Sequence, residues 1–162
     1  GGNIVDAQIF TSTDGTALDA IFLSRAFDRD EDEIRRAERI ATSIERALRS
    51  EVKIAELVRN RRSTKPVPKA FEVRPEVTID NNLSSRHTVV EVSGLDRPGL
   101  LYDLTTALGR LNLNIASAHV ATFGERAADV FYVTDLTGTK VSHPSRQASI
   151  RRGLLAVLEQ NQ

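Results

Sequence analysis

The residues whose types and spacing could do chemistry here are few: three histidines, a Ser/His pair, and one Asp-Arg-Pro-Gly turn. His87, His119 and His143 fall at neither HxxxH nor HExxH spacing, so they outline no metal centre. Ser117 and His119 stand two apart on a strand-like run and share a face, but no oxyanion turn accompanies them. The phosphate-cradling GxGxxG and GxxxxGK patterns are absent, as is the GxSxG nucleophile elbow. With no cysteine, thiolate metal sites, cysteine nucleophiles and disulfides are excluded together. The chain therefore reads as non-catalytic by itself, with no cofactor and no metal.

The turn is different. In "GLDRPGLLYDL", Gly94 to Leu104, a strand-like run ends at Asp96-Arg97-Pro98-Gly99 and passes straight into a helix-like one. Proline suits a first helical position, where its missing N–H would have been unpaired anyway. Glycine behind it leaves the first helical amides open to close approach. Such a turn begins a helix or holds an anion. Asp96 then has two readings: it caps the helix, worth about 1 kcal/mol, or it pairs with a cation on a ligand whose anion meets the amides.

The elements around this turn come as an internal repeat. "NIVDAQIFTSTDGTALDAIFLS" (Asn3 to Ser24) aligns with "NIASAHVATFGERAADVFYVT" (Asn114 to Thr134): Ala7 on Ala118, Ile9 on Val120, and Leu18-Asp19 on Ala128-Asp129. Each copy alternates and turns as a β-hairpin. Upstream of the second hairpin lie a strand, His87 to Ser93, and a helix of about Pro98 to Leu111 with Leu101, Leu104, Leu108 and Leu111 at helical spacing. Downstream is a helix carrying Ile150, Leu154, Leu155 and Leu158. The first hairpin is followed by a helix with Ile34, Ala37, Ala41, Ile44 and Leu48 expected to face inward, but no strand and helix precede it. The expected fold class is α+β: a truncated first unit over residues 1–58 (ββα), a linker over 59–85 with one or two short edge strands, and a complete second unit over 86–162 in the order strand, helix, strand, strand, helix. The sheet face left bare by the incomplete unit predicts a homo-oligomer.

Charge is balanced, with 22 Lys plus Arg against 22 Asp plus Glu, so no global field draws the chain to nucleic acid or to membranes. The basic run Arg59, Arg61, Arg62, Lys65 and Lys69 lacks interleaved aromatics and reads as a solvated linker. Acidic residues Asp28 to Glu33 crowd the start of the first helix, with Arg35 and Arg36 placed to pair with Glu31 and Asp32, which is a stabilised helix start. A cysteine-free chain with no apolar run of membrane length is expected in the cytoplasm.

The stretch "LDRPGLLYDLTTALGRLNLNIASAHVATFGERAADVFYVTD" (Leu95 to Asp135) resembles an ACT domain, the ferredoxin-like βαββαβ module that binds amino acids and regulates metabolic enzymes. The tandem arrangement resembles, over essentially the whole chain, the C-terminal region of the family of bifunctional uridylyltransferase and uridylyl-removing enzymes that modify the PII nitrogen-signalling protein. The resemblance implies a regulatory region that senses glutamine for upstream catalytic domains, which are absent here and would be the ones to need magnesium. It also implies the ligand contacts: Asp96 and Asn114, with Gly99, Leu100 and Leu101 supplying helix N-terminal amides, and Asn3 as the remnant of a first-unit site. Two rival expectations are a free-standing amino-acid-binding ACT regulator and a ferredoxin-like RNA-binding module. The latter would stack bases on central-strand aromatics, where this chain has Asp6, Gln8, Ser117 and His119.

Overall fold

Alternation in the second unit separates a buried face from an open one, and one sheet results. The computed structural model describes residues 4–61 and 73–160. The elements run β1 (Ile4–Thr11), β2 (Ala17–Leu23), α1 (Asp30–Leu48), α2 (Ile54–Arg61), β3 (Glu76–Asp80), β4 (Thr88–Leu95), α3 (Leu100–Arg110), β5 (Leu113–Phe123), β6 (Arg126–Asp135) and α4 (Pro144–Glu159). The six strands form one sheet in the order β2-β1-β5-β6-β4-β3, with every neighbouring pair antiparallel.

Helices α3 and α4 cover one face of the second unit. Leu100, Leu104 and Leu108 of α3 and Ile150, Leu154, Val157 and Leu158 of α4 meet Val90 and Val92 of β4, Ala118 of β5, and Ala127, Phe131 and Val133 of β6. The helices approach closely at Gly153, where a Cβ would lie 3.2 Å from Leu111. Gly94 gives α4 the same access to the sheet, since a Cβ there would lie 2.9 Å from Leu158 Cδ2. A buried polar knot ties the connections together at the other end. The Val141 amide donates to the Thr88 hydroxyl at 2.8 Å, that hydroxyl donates to Asn81 Oδ1 at 2.6 Å, and Asn81 Nδ2 donates to the Val141 carbonyl at 3.0 Å.

The second unit holds the expected order of strand, helix, strand, strand, helix. The edge position beside β4 is filled by β3, a short edge strand supplied by the segment that precedes it. Two expectations for α1 are corrected. The stripe of α1 does not face inward: Ile34 and Ile44 are exposed and Leu48 is 80% exposed. The repeat explains why. Its counterpart α4 packs on α3, β3 and β4, and among the described residues the first unit has no equivalents of α3 and β4. The basic pairs of α1 also differ in spacing, forming at i,i+3 as Arg35–Asp32 (3.1 Å) and Arg36–Glu33 (3.0 Å).

The hairpin of the first unit docks edge to edge on the second. Ala7 pairs with Val120, Gln8 with His119, and Ile9 with Ala118. Because Ala7 aligns with Ala118 and Ile9 with Val120 in the repeat, Gln8 and His119 are counterparts that pair with each other. The two hairpins are thus related by a pseudo-two-fold axis through that pair. The edge of β1 is covered within the chain, while the hairpin's faces stay bare, with Phe10 57% and Leu18 74% exposed. Among the described residues no helix is long and apolar enough to cross a membrane.

Candidate functional site

β4 delivers the chain to the turn, and the turn is pinned from three sides. The Asp96 amide donates to the Glu125 carbonyl in the β5–β6 turn at 2.8 Å. The Arg97 guanidinium lies 2.7 Å from the Asp103 carboxylate in the first turn of α3, and its other terminal nitrogen donates to the Val157 carbonyl of α4 at 3.2 Å. Pro98 is exposed. Helix α3 starts at Leu100, so Pro98 precedes the helix rather than opening it.

The residue at the helix N-cap is Gly99, at φ 84°, and no side chain caps the helix. That conformation requires glycine or costs about 1–2 kcal/mol. Of the two readings of Asp96, the capping one is not what the structure shows. The Asp96 carboxylate takes a hydrogen bond from the Arg97 backbone instead. Burial raises its pKa above the usual carboxylate range, and that bond and the Arg97 charge offset part of the rise. The Leu100 amide is tied back to the Arg97 carbonyl at 3.1 Å, closing the turn.

Asp96, Gly99, Leu100 and Leu101 are therefore brought together at the N-terminus of α3. Asn114 is not. It sits at the start of β5, paired with Thr134, and its side-chain amide donates to the Asp135 carbonyl at 3.3 Å. The turn lies beside the other end of β5, where Phe123 pairs with Arg126 and Arg126 with Leu95. Nine residues of extended strand separate the two ends, roughly 30 Å. Asn3 lies outside the described residues, as do Arg62, Lys65 and Lys69 of the basic run from Arg59 to Lys69.

Asp129 is the residue at this end of the sheet that motif reading misses. It lies on β6 between the core residues Ala127 and Phe131 and is 3% exposed. Burial pushes its pKa up to about 7; the nearby Asp96 charge adds to the rise, and a hydrogen bond from the Ala121 backbone opposes it. The sequence carried a signal for it, since Asp129 interrupts the apolar alternation Ala127, Phe131, Val133. The histidines serve other ends: Tyr132 makes edge contacts with His87 and His119 on the sheet, and His143 Nδ1 lies 2.9 Å from the Ser145 hydroxyl at the start of α4. Among the described residues no three His, Cys, Asp or Glu side chains stand close enough to hold a metal ion.

With this geometry in view, the likeness to known proteins falls on the same elements. A family model described as ACR9-like, ACT-like domain matches residues 76–161, from β3 through α4. The chain belongs to the ACT-like domain family. The observed α+β sheet with its two covering helices agrees with that fold, and the match begins at β3, the strand that completes the ACT-like sheet. The chain is also 62% identical over 160 residues to a bifunctional uridylyltransferase/uridylyl-removing enzyme of Rhodopseudomonas palustris. It is 60% identical over 158 residues to enzymes of the same name from Bradyrhizobium and Nitrobacter winogradskyi. Each alignment takes in 98% of this chain and 17% of the relative, so the chain spans about a sixth of the length of these curated relatives. No solved structure matches.

Proposed function

We propose that this chain is the glutamine-responsive regulatory region of a bifunctional uridylyltransferase/uridylyl-removing enzyme, and that the Asp96–Leu101 turn holds the amino acid. The observation that carries the reading is the N-terminus of α3, which no side chain caps and which has a carboxylate beside it. The ligand's α-carboxylate meets the backbone amides at Gly99 and Leu101, where the helix dipole adds about 0.3–1 kcal/mol, and takes the Leu100 amide only by displacing its bond to the Arg97 carbonyl. The α-ammonium goes to Asp96. Asn114 takes no part within one chain. The near-complete alignment with enzymes of one name supports the assignment of the larger protein.

In this reading the chain itself carries no catalytic residue and no cofactor. Its partners are glutamine, catalytic domains elsewhere in the same cytoplasmic enzyme, PII as that enzyme's protein substrate, and a second copy of the chain over the bare hairpin face. The test uses the whole enzyme carrying Asp96→Ala, with uridylylation and deuridylylation of PII followed against glutamine. Losing a hydrogen bond to a charged group, about 1.5–3 kcal/mol, moves the glutamine midpoint upward by tenfold or more. The backbone bond from residue 96 to Glu125 survives in alanine, so the turn is kept. An unchanged midpoint refutes the reading.

A further inference from the structure

Helix α3 carries an acid where an anion site can least accommodate one. Asp103 lies in its first turn, about 4.5 Å along the axis from Leu100, and helical side chains lean back toward the N-terminus. A carboxylate there suits the helix dipole. The carboxylate of a bound amino acid is drawn by the same field, so an uncompensated Asp103 charge would oppose the ligand by like-charge repulsion.

Arg97 supplies the compensation. Its Nη1 lies 2.7 Å from Asp103 Oδ2, and the two side chains are only 14% and 16% exposed, so water screens the pair weakly. Nη1 and Oδ2 meet outside hydrogen-bond geometry, which makes the contact one of charge more than of orientation. Orientation comes from other bonds. Arg97 Nη2 donates to the Val157 carbonyl of α4 at 3.2 Å. The Asp103 amide donates to the Gly99 carbonyl at 3.0 Å, so Asp103 holds both ends of the Arg97–Gly99 segment, one by its carboxylate and the other by its amide. Neither contact occupies the amide of Gly99 or of Leu101.

We propose that Arg97 is a positioning residue of the amino-acid site, and that its guanidinium cancels the Asp103 charge so that the N-terminus of α3 accepts a ligand carboxylate. This rests on the reading that the Asp96–Leu101 turn holds an amino acid. The consequence has a sign. Removing the cation leaves an anion facing the ligand carboxylate and weakens binding; removing the anion leaves a cation and strengthens it. A pair that only held the fold together would weaken binding whichever partner was lost. Asp96 keeps its hydrogen bond from the Arg97 backbone in every variant, since that donor is not a side chain.

The experiment is titration calorimetry of L-glutamine into the 162-residue chain at pH 8, for the wild type, Arg97→Gln, Asp103→Asn and the double variant, with urea unfolding of each. Arg97→Gln binds about three- to thirtyfold more weakly, the range for a charge at a partly buried helix terminus. Asp103→Asn binds more tightly than wild type, and the double variant returns to within roughly twofold of it, even though each variant is less stable to urea. Arg97→Lys keeps the charge and binds as wild type does, which decides the matter if Arg97→Gln does not fold. Weaker binding in both Arg97→Gln and Asp103→Asn, a double variant as weak as Arg97→Gln, or an Arg97→Lys that loses affinity while folded overturns the inference and leaves the turn reading intact, as does wild-type affinity in Arg97→Gln. No binding of glutamine to the wild type overturns both.

Discussion

Replacing Asp129 by asparagine should change how stability depends on pH. In the folded chain the carboxyl titrates at about 7 instead of 3.8, mainly through burial. The folded state therefore holds its proton more tightly than the unfolded chain does. Below pH 3.8 both states are protonated and the group is neutral in its effect; as pH rises through 7, the folded state must ionise a buried acid and stability falls. At 1.36 kcal/mol per pH unit, ionising it between pH 5 and pH 8 removes about 2.5 kcal/mol from the wild type. Asparagine does not ionise, so the variant keeps that amount. Other groups respond in the opposite sense: Glu33 and Asp135 have lowered pKa values and lose their contribution as pH falls. Both are common to the two proteins and cancel in the difference. Urea unfolding of both proteins at pH 5 and pH 8 measures it, with the midpoint of Asp129→Asn rising relative to wild type as pH rises. Parallel pH profiles would refute the placement of an ionisable group in that part of the core.

Thr88→Val leaves the Val141 amide and Asn81 Oδ1 without their partner hydroxyl, and urea unfolding should show a loss of about 1–3 kcal/mol. Gly94→Ala forces a Cβ against Leu158 Cδ2 and should cost about 1–3 kcal/mol; adding Leu158→Ala removes the clash, so a double-mutant cycle should show less than additive loss. Gly99→Val places a β-branched residue at φ 84° and should lower stability by about 1–2 kcal/mol, whereas Gly99→Asn, which tolerates that region, should lose less. Light scattering at micromolar concentration should give more than one chain per particle, with a stable monomer ruling out the homo-oligomer.

Much of the second unit was legible because its core obeys simple periods. The leucines of α3 and the alternating valines of β4 both announce one buried face, and the hairpin repeat predicted two like units. The pairing of β1 with β5 was not legible, because strand order depends on contacts far apart in sequence. For the same reason β3 read only as an edge strand without a partner: its five residues carry no signal of which strand they will join. The inward face assigned to α1 failed because amphipathicity shows which side seeks a partner, not whether one is there. At the site, the Asp96-Arg97-Pro98-Gly99 motif located the turn, and glycine's role followed from the backbone it must adopt. Its geometry was out of reach: Pro98 lies outside the helix, Arg97 is tied to Asp103, and Asn114 stands at the far end of β5. Asp129 was visible as an acid in an apolar stripe, but only the fold sets it against Asp96.

Binding of an amino acid at the N-terminus of α3 is read residue by residue from a 1H–15N correlation spectrum of the chain titrated with L-glutamine. The expected result is saturable shifts at the amides of Gly99, Leu100 and Leu101 and at Asp96, with Asn114 and Thr134 unmoved at the opposite end of the sheet. Saturable shifts that leave the turn untouched, or no shifts at millimolar glutamine, would contradict it.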